Sequence, residues 1–271
     1  MKSIAAAIQM LATADKEANL REVKERIRQA VNRGAQIVAL PEVFNWRGDK
    51  DEEKRNAEAI SGPTASLMAE LAREHGLYLL AGSFLEDIPG STKAYNTSML
   101  FDPQGSVVAC YRKIHLFDVH LERGVSSMES ETRQSGHEVV VAETSICPMG
   151  LSVCYDLRFP ELYRALVDKG AQIIFVPSAF TALTGEAHWE PLLRARAIEN
   201  QVYIIAPNQL GHNPKSFATY GNSMIVDPWG RVLARSPDCP GVIFAEIDLG
   251  YLAKVRRELP SLSHRKVLPK T

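Results

Sequence analysis

No charge of either sign dominates this chain of 271 residues: 31 Lys and Arg stand against 32 Asp and Glu, a formal net charge of −1. Such a balance gives no electrostatic footprint for nucleic acid or for an anionic membrane surface, and neither is expected as a partner. Cysteine is scarce. The four, at positions 110, 147, 154 and 239, contain no C-x-x-C pair and are too sparse for a disulfide framework, which points to a reducing, cytoplasmic setting. No apolar run reaches the roughly 18 residues that a membrane span needs. The stretch from Lys2 to Ala14 loosely resembles a secretory leader, but its apolar run is short and broken by Gln9. A buried first strand over Ile4 to Met10 is expected instead. Also missing are a G-x-S-x-G elbow, a Walker A loop, a G-x-G-x-x-G turn and an H-E-x-x-H pair. The seven histidines make no zinc-ligand spacing with the cysteines, so neither metal nor cofactor is expected.

What the chain does contain is an internal repeat. Gly34-Ala-Gln-Ile-Val-Ala-Leu-Pro41-Glu42 is mirrored by Gly170-Ala-Gln-Ile-Ile-Phe-Val-Pro177-Ser178. Each copy is a helix C-cap glycine, a short apolar run and a proline stop, the pattern of a buried parallel strand entered from a helix. Helices are predicted before the copies, over Lys16 to Asn32 and Pro160 to Lys169, from apolar residues at helical spacing. After them the pattern predicts a helix over Thr64 to His75 with a strand Leu77 to Phe84, and a helix over Trp189 to Asn200 with a strand Val202 to Pro207. Asn96 to Gly105 and Asn222 to Gly230 then match as strands ending in Pro-containing turns, with partners Val107 to Tyr111 and Arg231 to Arg235.

The order in each half is thus β-α-β-α-β-β-β, which does not fit the strict alternation of a TIM barrel. Two similar α/β halves, each with helices on one face, would bury their bare sheet faces together as a four-layer α-β-β-α sandwich. With no Pro/Gly/Ser-rich linker, the expectation is one domain over 1–271, with halves at about 1–125 and 145–250. A basic tail over 251–271 is expected on the surface or against a partner subunit.

Polar residues that interrupt the buried strands are the candidates for chemistry. Cys154 ends the apolar run that starts at Met149, immediately before a turn and a helix; ligands of α/β folds sit at the carboxyl ends of parallel strands, so this is a place for a nucleophile. An arbitrary cysteine is more often a small buried hydrophobe, the reading given to Cys110, Cys147 and Cys239. Glu42 ends the first repeat copy, where its counterpart is Ser178. A carboxylate there needs a cation or hydrogen-bond donors, or a raised pKa, and either suits a general base and acid. Lys113 ends the first hairpin; alone it reads as a solvated strand end. Together the three suggest nucleophile, base and oxyanion stabiliser, although spacing alone does not secure it.

Longer segments carry a resemblance. Leu40-Pro-Glu42, Tyr111-Arg-Lys113-Ile-His-Leu-Phe-Asp118 and Gly150-Leu-Ser-Val-Cys154-Tyr-Asp-Leu-Arg-Phe-Pro-Glu-Leu162, with Ala187-His-Trp-Glu190 and Arg194-Ala-Arg-Ala-Ile-Glu-Asn200, resemble the carbon–nitrogen hydrolase, or nitrilase, superfamily. The likeness spans essentially the whole chain. It implies the α-β-β-α sandwich and a Glu-Lys-Cys triad of Glu42, Lys113 and Cys154. It also implies an oxyanion hole of Lys113 and the Tyr155 amide, and a second glutamate, Glu129, orienting Lys113 and the substrate. Within the superfamily the chain looks most like the branch of deaminated glutathione amidase, nitrilase–Fhit fusions and ω-amidase, and Ser178-Ala-Phe180, Thr184-Gly185 and Gly211 to Lys215 look more like the first than the last.

The resemblance therefore implies cleavage of the terminal amide of a small carboxylated substrate to acid and ammonia through a thioester, with deaminated glutathione as first choice. The alternatives are ω-amidase action on α-ketoglutaramate, nitrile hydrolysis, and a non-catalytic scaffold of the same fold. Arg158, Phe180, Thr181 and His188 are the expected substrate contacts. The cation for a substrate carboxylate stays open among Arg47, Arg158, Arg194, Arg196 and Lys215. Two positions depart from the branch: Glu186, expected to alter a loop beside the pocket, and Asn222. A cytoplasmic homodimer or higher homo-oligomer is implied.

Overall fold

Alternation along the first strand decides the layers. The structure, a computed structural model, describes residues 1–121, 125–212 and 217–266. In Lys2–Gln9, Ala5 and Ala7 join Ile37, Ala39 and Leu80 in a core shared with Met149, Leu151, Ile173 and Phe175 of a second sheet. Ala6 and Ile8 point the other way, with Val38 and Leu40, onto Val23 and Ile27 of the helix Lys16–Asn32 and Met68 and Leu71 of Pro63–His75. A strand with both faces apolar is buried on both sides, as a parallel strand covered by helices must be. Gly150 of the second sheet lies against Leu166 and Ile174 on its helix-covered face, the helices there being Pro160–Asp168 and Ala182–Asn200. The four layers are α-β-β-α.

The two sheets repeat one topology. In the first, Lys2–Gln9, Ile37–Ala39 and Tyr78–Leu80 run parallel, followed by antiparallel Ala94–Phe101 and Val107–Arg112. In the second, Met149–Leu151, Ile173–Phe175 and Tyr203–Ala206 run parallel, followed by antiparallel Met224–Val226 and Val232–Arg235. One strand crosses between halves: Gly241–Asp248, late in the chain, pairs antiparallel with Lys2–Gln9 along its whole length. Asp248 then caps the helix Leu249–Glu258 through the Gly250 and Tyr251 amides, and Leu252 and Val255 are buried. Arg256 donates to the Ala171 and Gln201 carbonyls, so the basic tail residue closes onto its own chain.

Four expectations are corrected. The strand expected over Leu77 to Phe84 is two, Tyr78–Leu80 and Phe84–Asp87, because Gly82 turns between them at φ 23° with the Pro41 carbonyl 1.9 Å from where a Cβ would stand. The helix expected from Trp189 starts at Ala182, where Thr181 accepts the Thr184 amide as N-cap. Glu186 therefore lies on the exposed side of a helix rather than in a loop beside the pocket. Cys239 is exposed instead of buried, since it sits in the turn that precedes the crossing strand.

Candidate active site

Glu42 follows Ile37–Ala39 at the carboxyl edge of the first sheet and is 3% exposed. Its Oε1 accepts from Asn96 Nδ2 at 2.8 Å and Lys113 Nζ at 3.0 Å, and its Oε2 from the Ala179 amide at 2.8 Å. A carboxylate removed from water is thereby supplied with donors on both oxygens, which removes most of its desolvation cost. The next residue, Val43, holds φ 46°, an uncommon conformation for a β-branched side chain.

Cys154 opens the 3₁₀ turn Cys154–Arg158 after Met149–Leu151, with φ 49°. Its amide donates to the Pro177 carbonyl at 3.0 Å, tying it to the neighbouring strand end. Asp156, fully buried, braces the turn from below. It accepts from the Val153 amide at 2.8 Å, the Tyr111 hydroxyl at 2.6 Å and the His115 amide at 3.1 Å. The His115 ring lies flat on Phe159, centroids 3.6 Å apart. The thiol shares the cavity with Glu42. Burial first, then the charge of Glu42, push the thiol well above its ordinary pKa, against the opposing pull of Lys113.

Lys113 leaves the strand Val107–Arg112 and is 1% exposed. Besides Glu42 it donates to Glu129 Oε2 at 2.9 Å. That oxygen also accepts the Phe117 amide at 2.9 Å, while Oε1 accepts Arg133 at 2.6 Å. Arg133 in turn grips Glu53, Nη2 to Oε1 at 2.6 Å and Nε to Oε2 at 3.1 Å. Burial works against the Lys113 charge, but Glu129 and then Glu42 more than offset it and hold the ammonium above its ordinary pKa. Burial likewise opposes the Glu129 charge, and Lys113 and Arg133 overcome it and depress the carboxyl.

These groups form the floor of a cavity of about 560 Å3, whose walls include Trp46, Arg47, Phe117, Tyr155, Arg158, Phe180, Thr181 and Phe217. The size falls in the roughly 300–1,000 Å3 range of drug-sized sites. The Arg158 guanidinium stands over the Phe180 ring at 5.1 Å and the Tyr155 ring at 5.8 Å, and Arg47 over Phe217 at 5.8 Å. Burial lowers the pKa of both guanidiniums, Arg47 to about 10.

The chain matches the carbon-nitrogen hydrolase family over residues 4–257. It is 44% identical over 265 residues to the deaminated glutathione amidase of Synechocystis, covering 97% of each chain. The chain belongs to the carbon-nitrogen hydrolase family. It is a hydrolase of carbon–nitrogen bonds other than peptide bonds. An omega-amidase of Xenopus laevis is 40% identical over 259 residues, covering 96% of this chain and 93% of that one. The crystal structure of the NitFhit protein of C. elegans superposes with a TM-score of 0.92 at 41% identity, over 98% of this chain and 65% of that chain. This hydrolase thus spans about two thirds of that protein's length.

Of the positions singled out in this carbon-nitrogen hydrolase, Glu42, Lys113, Cys154, Glu129, Tyr155, Arg158, Phe180 and Thr181 all border the one cavity. His188 does not. It is exposed on the helix Ala182–Asn200 and meets Arg158 from outside, Nδ1 to Nη1 3.1 Å. Arg194 and Arg196 turn away to the Gly230 and Leu157 carbonyls, and Lys215 lies outside the described residues. Asn222, at φ 54°, accepts Arg235 at 2.8 Å and donates to the Tyr220 carbonyl, away from the cavity. Sequence reasoning missed Asn96, Asp156, Arg133 and Glu53 as supports. Asn96 and Asp156 stood inside quoted segments, but nothing in their spacing announced a partner. Among the described residues no helix is long and apolar enough to cross a membrane.

Proposed function

We propose that this amidase works through Glu42, Lys113 and Cys154 on the amide of a small carboxylated substrate, deaminated glutathione first. The observation that carries the reading is the convergence of all three on one cavity, with Glu42 bonded to Lys113 at 3.0 Å and its charge acting on the Cys154 thiol. Because the resting thiol is protonated, Glu42 takes its proton as sulfur attacks the amide carbon. The carbonyl electrons move onto oxygen. Lys113 has two N–H bonds committed to Glu42 and Glu129, and its third, with the Tyr155 amide, meets that oxyanion. Glu42 returns the proton to the departing nitrogen, the C–N bond breaks, and a Cys154 thioester remains. Water then attacks the thioester, giving its proton to Glu42; collapse releases the acid, and the proton goes back to sulfur.

Deaminated glutathione has two amides, and only the one on the keto-acid side is not a peptide bond. Its cleavage releases cysteinylglycine, which corrects the ammonia expected above for this substrate; only a primary amide such as α-ketoglutaramate releases ammonia. The cavity volume supports the larger leaving group, and Arg158, held between aromatic rings, supplies a cation for a carboxylate. Phe180 and Thr181 line the wall beside it. The reading places the enzyme in the cytoplasm as a homo-oligomer, in keeping with its free thiols and with Ile198 and Trp229 exposed near one another around Gly230.

The test is side-by-side turnover of deaminated glutathione, α-ketoglutaramate and a simple nitrile, with keto acid, cysteinylglycine and ammonia each measured. Deaminated glutathione should show the highest kcat/KM. A preference for α-ketoglutaramate or the nitrile would overturn the substrate assignment, and failure with all three would favour a scaffold.

A further inference from the structure

Five side chains of alternating charge run from the cavity rim to the general base: Glu53, Arg133, Glu129, Lys113 and Glu42. Each neighbouring pair is in contact, at 2.6, 2.6, 2.9 and 3.0 Å in that order. The inner two pairs are the proposed reaction machinery; the outer pair touches no reacting atom. Arg133 lies four residues after Glu129 at the end of the short helix Glu129–Thr132, and Glu53 comes from the far side of the cavity in Glu53–Asn56.

We propose that Arg133, anchored by Glu53, is a positioning residue for the amidase reaction: it fixes the Glu129 carboxylate on Lys113 so that the ammonium keeps both its charge and its aim. The proposal rests on the reading of Lys113 and Glu129 given above. Its geometry is specific. Arg133 presents two faces of one planar fork, one bidentate to Glu53 and one to the Glu129 oxygen that Lys113 does not use. A single point charge could not span both with fixed orientation. Thr132 Oγ1 adds a bond to Glu53 Oε2 at 2.7 Å, so the anchor itself is held.

The electrostatic reason is as direct. A buried ammonium beside a buried carboxylate can shed its charge by passing a proton across, leaving a neutral amine and acid that cost less to desolvate. Neutral Lys113 would lose most of its power over an oxyanion. Arg133 opposes this transfer because it stands closer to the carboxylate that would accept the proton than to the amine that would lose it. The charged and titratable groups around Glu129 are Lys113 and Arg133 in contact, with Glu42, Cys154, Glu53 and Arg47 behind them. Lys113 and Arg133 are the ones that depress Glu129. Without Arg133 its pKa rises, and protonation begins at a higher pH as the solution is acidified.

The experiment measures kcat, KM and the pH profile of kcat for the full chain and for Arg133→Gln, Arg133→Lys and Glu53→Gln, with Lys113→Ala as reference. Arg133→Gln should lower kcat on the order of 10- to 100-fold with KM nearly unchanged, and move the acid limb to higher pH. Arg133→Lys should bring the acid limb back while recovering only part of kcat. A wild-type kcat and profile in Arg133→Gln overturns the proposal, as does a fall in kcat with an unmoved acid limb, the mark of a merely structural role. Should Arg133→Gln fail to fold, Glu53→Gln decides: a loss of kcat with KM nearly unchanged supports it, and a wild-type kcat or a matching rise in KM overturns it. If Lys113→Ala keeps wild-type turnover, the reading of Lys113 fails instead, a different result from any of these.

Discussion

The Glu42 carboxylate accepts a hydrogen bond of 2.8 Å from the amide of Ala179, the residue next to its own repeat counterpart Ser178. The two copies of the repeated segment thus end against each other, and the general base of one half is held by the backbone of the other. The Cys154 amide in turn donates to the Pro177 carbonyl at 3.0 Å, so both proton-transfer partners are tied to the end of the second repeat copy. Asn96 adds the bond from the first hairpin.

Replacing Cys154 by Ala or Ser should abolish turnover while leaving the thermal melt close to wild type. The left-handed φ of 49° is shared by any of the three side chains, and the amide bond to Pro177 survives. Mass spectrometry after incubation with substrate should show an acyl adduct on the wild-type chain alone. Substantial amide hydrolysis by the Ala variant would remove Cys154 from the mechanism.

Lys113→Ala should cost on the order of 10²–10³ in kcat, the scale of one lost oxyanion donor, and much less in substrate affinity. Glu129→Gln tests the charge. Burial pulls the Lys113 pKa down and Glu129 is the largest of the influences that raise it. Without that carboxylate the lysine gives up its proton at lower pH, and the alkaline limb of kcat should move down. The sign for stability is the same. A folded-state pKa above the unfolded value, about 10.4, gives stability fully present below that value and lost as pH rises through the folded one. An unmoved alkaline limb would mean that Lys113 is not the group that titrates there.

Arg158→Ala should raise KM for a carboxylated amide about 10-fold or more, the value of a charge-assisted hydrogen bond, with a far smaller effect on a neutral amide of similar size. Its guanidinium is positioned by the Phe180 and Tyr155 rings rather than by a carboxylate among the described residues. Equal losses for charged and neutral substrates would point to a packing role.

Gly82→Ala should destabilise the fold by roughly 1–3 kcal/mol and lower kcat together. A Cβ there would meet the Pro41 and Leu40 carbonyls at 1.9 and 2.5 Å, and relief requires moving the backbone that carries Glu42. Chemical denaturation and steady-state kinetics on one preparation check both effects. A stable variant with full activity would show that the strand end tolerates the shift.

The amino-acid pattern alone determined the layers, the repeat and the strand ends on which chemistry could stand. Those properties are local: a strand's own alternation sets which faces are buried, and a cysteine or glutamate closing an apolar run marks a carboxyl edge. Motif likeness added the triad and Glu129. Only the tertiary structure decided which polar groups meet. Glu42 and Lys113 are 71 residues apart, and Arg133 and Glu53 are 80. Their contacts follow from the order of strands in the first sheet and from the docking of one sheet on the other. The same docking brought Arg158 to the cavity and left Arg194, Arg196 and His188 outside it. No spacing within one segment encodes such a meeting, because it depends on the register between segments that the chain brings together only when both sheets are formed.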